Sequence, residues 1–296
     1  MAADPAVGDD RTERLLAWFG DGGRDLPWRR TRDPWRVLVS ELMLQQTQVA
    51  RVLPRYEAFL DRWPTPAACA ASSVADVVTA WAGLGYNRRA VNLHRCATAV
   101  AHDHGGRLPA DLAGLLALPG IGPYTARAVL AFAHEADGVG VLDTNAARIL
   151  ARWTGRPLGR AEAQDAADLA VPEGRSWAWN QAMLDLGATV CRKRAPRCDA
   201  CPVAVDCAWR VAGNPEPDPA VGSAGVSGGQ SRFEGSDRQG RGRLVDALRA
   251  GPVPAHALPA ATGWPDDPDR ASRVAATLVA DGLARVDPTG THHLPS

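Results

Sequence analysis

Four cysteines, Cys191, Cys198, Cys201 and Cys207, fall within one 17-residue span, with six, two and five residues between them. Thiols that close in sequence must share one loop, and in a reducing compartment such a loop holds a metal group in preference to disulfides. Structural zinc sites usually present two Cys-x-x-Cys knuckles, whereas here only Cys198 and Cys201 form one. Thiol count and spacing favour a [4Fe–4S] cluster, with zinc as the competing metal. Arg192, Lys193, Arg194, Arg197 and Arg210 surround the span against Asp199 and Asp206. Those cations either offset a negative cluster or present the loop to DNA phosphates. The isolated Cys69 and Cys96 read as buried apolar residues.

The rest of the chain must frame that loop. Its 296 residues suffice for two domains and a small third. Leu15, Leu16, Trp18 and Phe19 recur at helical spacing, such patterns continue to about residue 210, and alternating strand patterns are scarce, so the fold class is all-α. Residues 211–240 turn to Gly, Ser, Pro and Ala and predict a flexible linker. Helical patterns at Arg241–Leu248 and Arg270–Leu283, then two short strands around a Pro/Thr/Gly turn within 284–294, predict a small winged-helix-like module over 241–296. No apolar run approaches the roughly 18 residues of a membrane span, and the N-terminus lacks a signal-peptide pattern. A cytoplasmic location without membrane partners is expected, nucleoid-associated if the source is bacterial. Lys+Arg 33 balance Asp+Glu 33, so attraction to nucleic acid must come from local patches.

A second motif is Pro119-Gly120-Ile121-Gly122-Pro123, between a helical pattern ending at Leu118 and another running from Tyr124 to Phe132. A Gly-x-Gly turn that opens a helix exposes backbone N–H groups to a phosphate oxygen. A plain helix–turn–helix corner reads the same way in sequence.

With the cysteine spacing, several segments resemble the MutY-type adenine DNA glycosylases, members of the helix-hairpin-helix, iron–sulfur superfamily that includes endonuclease III. They are Leu26 to Arg29, Ser40 to Val49 with its double glutamine, Gly83 to Tyr86, Leu118 to Tyr124, Leu142 to Asn145 and Asn180 to Gly187. They cover about two thirds of the chain. The resemblance implies two helical domains: 33–140 as a six-helix domain with the hairpin, and 141–210 as the cluster domain, joined by the N-terminal helix of 1–32. It also implies a monomer acting on double-stranded DNA, removing adenine mispaired with 8-oxoguanine or guanine. Two departures stand out. Thr144 follows Asp143 where many members have Gly, and no domain of the usual size follows the cluster.

Adenine leaves only once a ring nitrogen is protonated, so such an enzyme needs a carboxyl that keeps its proton and a carboxylate beside the sugar cation. Val37, Leu38, Leu42, Met43 and Leu44 around Glu41 would desolvate it and raise its pKa; Asp143 precedes a helical pattern, an N-cap position that favours the charged form. Taken alone, Asp143 also reads as a cap and nothing more, and Glu41 as a first-turn acid behind Ser40. By the resemblance, Glu41 protonates N7 of adenine and Asp143 stabilises the cation, with Tyr124 and Asn145 assisting. Gln46 and Tyr86 would fill the gap left by the extruded base, Trp28, Arg29 and Gln181 would line the adenine pocket, and Gly120 and Gly122 would hold phosphate. Without it, Tyr124 reads sooner as a packing tyrosine after a turn and Asn145 as a first-turn helix residue, and a core role fits Trp28 equally well.

Three other readings compete. An endonuclease III-like pyrimidine glycosylase uses a lysine just after the glycine hairpin, where this chain has Tyr124, and Lys193 is its only lysine. A thymine-mismatch glycosylase and a non-catalytic DNA-binding protein with a structural cluster are the others.

Overall fold

The computed structural model describes residues 5–224 and 232–296. In chain order the helices are α1 (Pro5–Gly22), α2 (Pro34–Leu44), α3 (Val49–Arg62), α4 (Pro66–Ala70), α5 (Val74–Ala80), α6 (Arg88–Asp103), α7 (Leu112–Ala117), α8 (Pro123–Ala133), α9 (Thr144–Thr154), α10 (Arg160–Leu169), α11 (Ser176–Thr189) and α12 (Ala208–Val211). Then come α13 (Asp237–Ala250), α14 (Leu258–Thr262), α15 (Pro268–Ala280) and the strands β1 (Arg285–Val286) and β2 (His292–His293). The fold is mostly helical, as the periodicity predicts. It divides into two compact units, the first of residues 1–37 and 123–229, the second of 38–122 and 230–296.

In the first unit Leu15 of α1, Ile149 of α9 and Leu186 of α11 are wholly buried in one core, joined by Leu158 and Trp179. Apolar residues three and four apart give α9 its buried stripe, Asp143 caps its N-terminus, and Gly155 ends it at φ 71°. Gly187 permits close packing of α9 and α11, because a Cβ there would stand 2.4 Å from Cβ of Asn145.

In the second unit α3 buries Val52, Tyr56, Phe59 and Leu60 along one face. Phe59 meets Trp63 and Trp81 with ring centroids 4.7 and 6.2 Å apart. Thr65 and Ser73 cap the short helices α4 and α5, both packed on α6. Burial pushes the thiols of Cys69 and Cys96 up to about 12, which suits apolar packing. Helices α13, α14 and α15 share an apolar centre with Leu244, Leu258 and Leu278, and β1 pairs antiparallel with β2. Residue 253 adds a bridge to His292. This C-terminal set docks on the rest of the unit. Arg249 donates to the carbonyl of Val78 at 2.9 and 3.1 Å and to Oδ1 of Asn87 at 2.8 Å, while Ala75 N–H donates to the carbonyl of Pro295 at 3.0 Å.

The boundaries differ from the sequence expectation. The contact boundary falls between Gly122 and Pro123, not at 140, because α8 packs on α11. The expected linker over 211–240 is also narrower. Ala220 is buried, Trp209 Nε1 donates to the carbonyl of Pro215 at 2.8 Å, and Ala224 N–H donates to that of Leu158 at 3.0 Å. Helix α13 begins at Asp237, and residues 225–231 of the expected linker lie outside the described residues. Gly- and Pro-rich composition lowers intrinsic order, but individual contacts override it. No described helix is long and apolar enough to cross a membrane.

Candidate active site and cysteine loop

In the first unit Asp143 accepts from the N–H groups of Asn145 at 2.8 Å and Ala146 at 2.7 Å, and from Nδ2 of Asn145 at 2.8 Å. Burial of the carboxyl pushes its pKa up, against the lowering by those three donors and Arg148. The cap is as expected, but the net direction is the reverse of the expected lowering, since desolvation outweighs the donors. The segment leading into Asp143 is held by Asn180, whose Oδ1 accepts from Val141 N–H at 2.7 Å while its Nδ2 donates to the carbonyl of Val139 at 2.9 Å.

Two arginines join this end of α9 to the cysteine loop. Arg148 donates to Oδ1 of Asn145 at 2.7 Å, to the carbonyl of Gly187 at 2.8 Å and to that of Cys191 at 2.8 Å. Arg152, almost wholly buried, donates to Sγ of Cys191 at 3.3 Å and to the carbonyl of Arg192 at 2.9 Å, and is paired with Asp218 at 2.5 Å. Periodicity marks both arginines only as helix positions; a buried arginine leaves no sequence signal apart from its apolar neighbours.

Cys191, Cys198, Cys201 and Cys207 line one pocket with Arg152, Leu186 and Trp209. Burial pushes the thiol of Cys201 up to about 11 and raises Cys198 and Cys207 as well, so a cation would have to displace their protons to hold them as thiolates. Among the described residues no three His, Cys, Asp or Glu side chains are placed to hold a metal ion. The four thiols that line this pocket are the candidate ligands of a metal group.

Trp28, Arg29 and Gln181 are buried in the same unit, and Tyr124 is half-buried on α8. Arg29 grips Asp185 through two bonds of 2.7 and 2.9 Å, and Arg24 Nε adds a third at 2.6 Å. Although burial pushes the Asp185 carboxyl up, Arg29 and Arg24 hold it below the usual range. In sequence Asp185 stands within the Asn180 to Gly187 segment, but its partners Arg24 and Arg29 lie more than 150 residues away, and no local pattern marks the clamp.

The second unit carries Glu41, Gln46, Tyr86, Gly120 and Gly122. Glu41 is buried at 5% exposure on α2, beside Leu38, Leu42 and Met43. Gln46 and Tyr86 adopt φ of 55° and 45°, a left-handed backbone uncommon for non-glycine residues. One buried side chain secures both. Arg89 donates to the carbonyls of Leu42 at 2.6 Å and Met43 at 2.9 Å, to Oγ1 of Thr47 at 2.9 Å, and to the carbonyls of Leu84 at 3.1 Å and Gly85 at 2.9 Å. Desolvation pushes its pKa down to about 10, so it stays charged at neutral pH. Gly120 lies at φ 78°, where a Cβ would meet Asn92 at 2.5 Å, and Gly122 is open at its Cα. Thus Asp143, Asn145 and the cysteine loop are tied together in one unit, and Gln46 and Tyr86 in the other.

A family model for HhH-GPD superfamily base excision DNA repair proteins matches residues 39–167. Over 293 residues the chain is 45% identical to an adenine DNA glycosylase of Mycobacterium tuberculosis, covering 95% of this chain and 92% of that one. The adenine DNA glycosylase of Mycolicibacterium smegmatis is 42% identical over 274 residues, covering 91% and 90%. The structure of a thermostable thymine-DNA glycosylase matches with a TM-score of 0.64 and 27% identity, covering 70% of this chain and 99% of that one. The chain belongs to the HhH-GPD superfamily and, within it, to the adenine DNA glycosylase family. Base excision repair of DNA is that superfamily's work.

Proposed function

We propose that this chain is a monofunctional, monomeric glycosylase that hydrolyses the N-glycosidic bond of adenine mispaired with 8-oxoguanine or guanine in double-stranded DNA of the cytoplasm or nucleoid. The observation that carries the reading is 45% identity, across 95% of the chain, to a relative named for adenine. The chemistry of the residues supports it. Glu41, buried on α2, is the carboxyl that passes a proton to N7 of adenine. The bond electrons then leave with a neutral base, the sugar develops positive charge, and water attacks the anomeric carbon and loses a proton, which balances the one Glu41 gave. Asp143 stabilises that charge. Its poorly solvated carboxylate, fixed by N–H donors before the reaction begins, interacts more strongly with a cation than a hydrated one would.

Tyr124 and Asn145 assist in the pocket, and Asn145 is fixed between Asp143 and Arg148. Trp28, Arg29 and Gln181 shape the adenine pocket, Arg29 through its clamp on Asp185. Gln46 and Tyr86 enter the duplex where the base leaves, and Gly120 and Gly122 hold a backbone phosphate. The four cysteines hold a [4Fe–4S] cluster, which braces the basic loop against DNA. Four cysteines with a single Cys-x-x-Cys pair favour it over zinc. Residues 237–293 read as winged-helix-like, three helices followed by a hairpin. The thymine-DNA glycosylase likeness makes thymine the rival substrate. Single-turnover base release from duplexes with A or T opposite each partner base decides; release of thymine and not adenine overturns the reading.

A further inference from the structure

Between α8 and α9, residues 139–143 carry the chain into Asp143 without helix or strand, and side chains bond four successive backbone groups of that strap. Asn180 of α11 takes the carbonyl of Val139 and the N–H of Val141, and α10 takes both groups of the glycine between them. Oδ1 of Asp168 accepts from Gly140 N–H at 2.8 Å, and Nε2 of Gln164 donates to the Gly140 carbonyl at 3.0 Å. The approach is close. A Cβ at Gly140 would stand 2.4 Å from the carbonyl carbon of Ala167, so the strap lies directly on the last turn of α10. The same Asp168 oxygen accepts from Arg127 of α8 at 2.5 Å and from Gln164 at 3.0 Å. A neutral acceptor would satisfy Gly140 equally well; only Arg127 calls for a charge. Arg127 stands three residues after Tyr124, on the same face of α8.

With side chains 17% and 28% exposed, an ion pair of this kind adds little to stability. What it fixes is position: it sets α8, and with it Tyr124, against the strap that delivers Asp143 to the N-terminus of α9. We propose that Asp168, with Arg127, is a positioning residue for base release, holding the Asp143 carboxylate at the distance from the sugar at which it stabilises the cation. This rests on the reading of Asp143 as the carboxylate beside that cation. Coulombic stabilisation in a poorly solvated site depends on distance, and a misplacement of about 1 Å can cost about a hundredfold in rate. Binding of the duplex does not depend on that distance, so the pair acts on the chemical step and not on affinity.

The test is single-turnover base release by the full chain, with Tm and the Kd for a duplex whose adenosine is fluorinated on the sugar, and so resists release, measured beside it. Asp168→Ala, which removes the strap's acceptor as well as the pair, should slow release about a hundredfold and leave Kd within about twofold. Arg127→Gln leaves the bonds to the strap in place and should slow release about tenfold with Tm nearly unchanged, while Arg127→Lys keeps most of the rate. Because the pair acts through Asp143, Asp168→Ala added to Asp143→Asn should slow release no further than Asp143→Asn alone. A wild-type rate in Arg127→Gln and in folded Asp168→Ala overturns the proposal, as does an equal slowing by Asp168→Ala with and without the Asp143 carboxylate. Should Asp168→Ala fail to fold, Arg127→Gln decides by itself. A wild-type rate in Asp143→Asn would overturn the reading of Asp143 and the proposal together, whereas a failure confined to Arg127 and Asp168 overturns the proposal alone.

Discussion

Glu41 and Asp143 are both acidic residues near helix ends, yet their surroundings separate them. Glu41 is buried among aliphatic side chains of α2, while Asp143 caps α9 with two backbone donors. Glu41→Gln keeps the shape but cannot deliver a proton. It should abolish adenine release in single-turnover assays while mismatch affinity stays within about twofold. Asp143→Asn separates chemistry from stability. An acid whose folded pKa is raised contributes stability below its unfolded value near 3.8 and loses it as pH rises through the folded value. At pH near 8 the buried Asp143 side chain therefore no longer adds that stability, and asparagine caps helices about as well as aspartate. The variant should lose most activity while its Tm at that pH is no lower than wild type; a marked fall in Tm would show that Asp143 is chiefly a structural anion.

At the scale of elements, the positive-φ loops of Gln46 and Tyr86 depend on a residue from α6. Arg89 fills the end of α2 and the 84–86 loop with one guanidinium, bonded to carbonyls at the negative end of a helix dipole. Arg89→Met should cost about 3 kcal/mol or more of stability, since several charge-assisted bonds and carbonyl partners are lost together. At a temperature where the variant is still folded, its mismatch affinity should fall further than its affinity for undamaged duplex. Denaturant melts and binding titrations check both. Helix positions such as Arg89, Arg148 and Arg152 were visible in sequence, but not that each would be buried against loop carbonyls.

For the whole molecule, the cysteine loop and the lysine count lead to two expectations. Protein prepared without air should contain about four iron atoms per chain, as one [4Fe–4S] cluster requires; one zinc and no iron by elemental analysis would overturn that assignment. A lyase needs an unprotonated amine at the anomeric carbon, and Lys193 and the chain's N-terminus are the only candidates. The abasic strand should therefore remain intact until alkali is added, and borohydride during turnover should trap little protein–DNA adduct. Efficient trapping that disappears in Lys193→Arg would show that the cysteine loop reaches the sugar.

Local patterns determined much of this protein without tertiary information. Apolar spacing of three and four marks α9 and α13, Asp143 before an apolar stripe marks a cap, and four cysteines in 17 residues mark one loop. These signals survive in sequence because they depend on neighbours within a few turns of helix. The placement of α8 with the first unit, the docking of α13–α15 on the second, and the order imposed on 212–224 by Arg152 and Asp218 were decided only by the tertiary structure. So was the upward direction at Asp143. Each depends on desolvation by residues far away in the chain, and the energy of a buried charge or carbonyl is set by everything around it, which no local window contains.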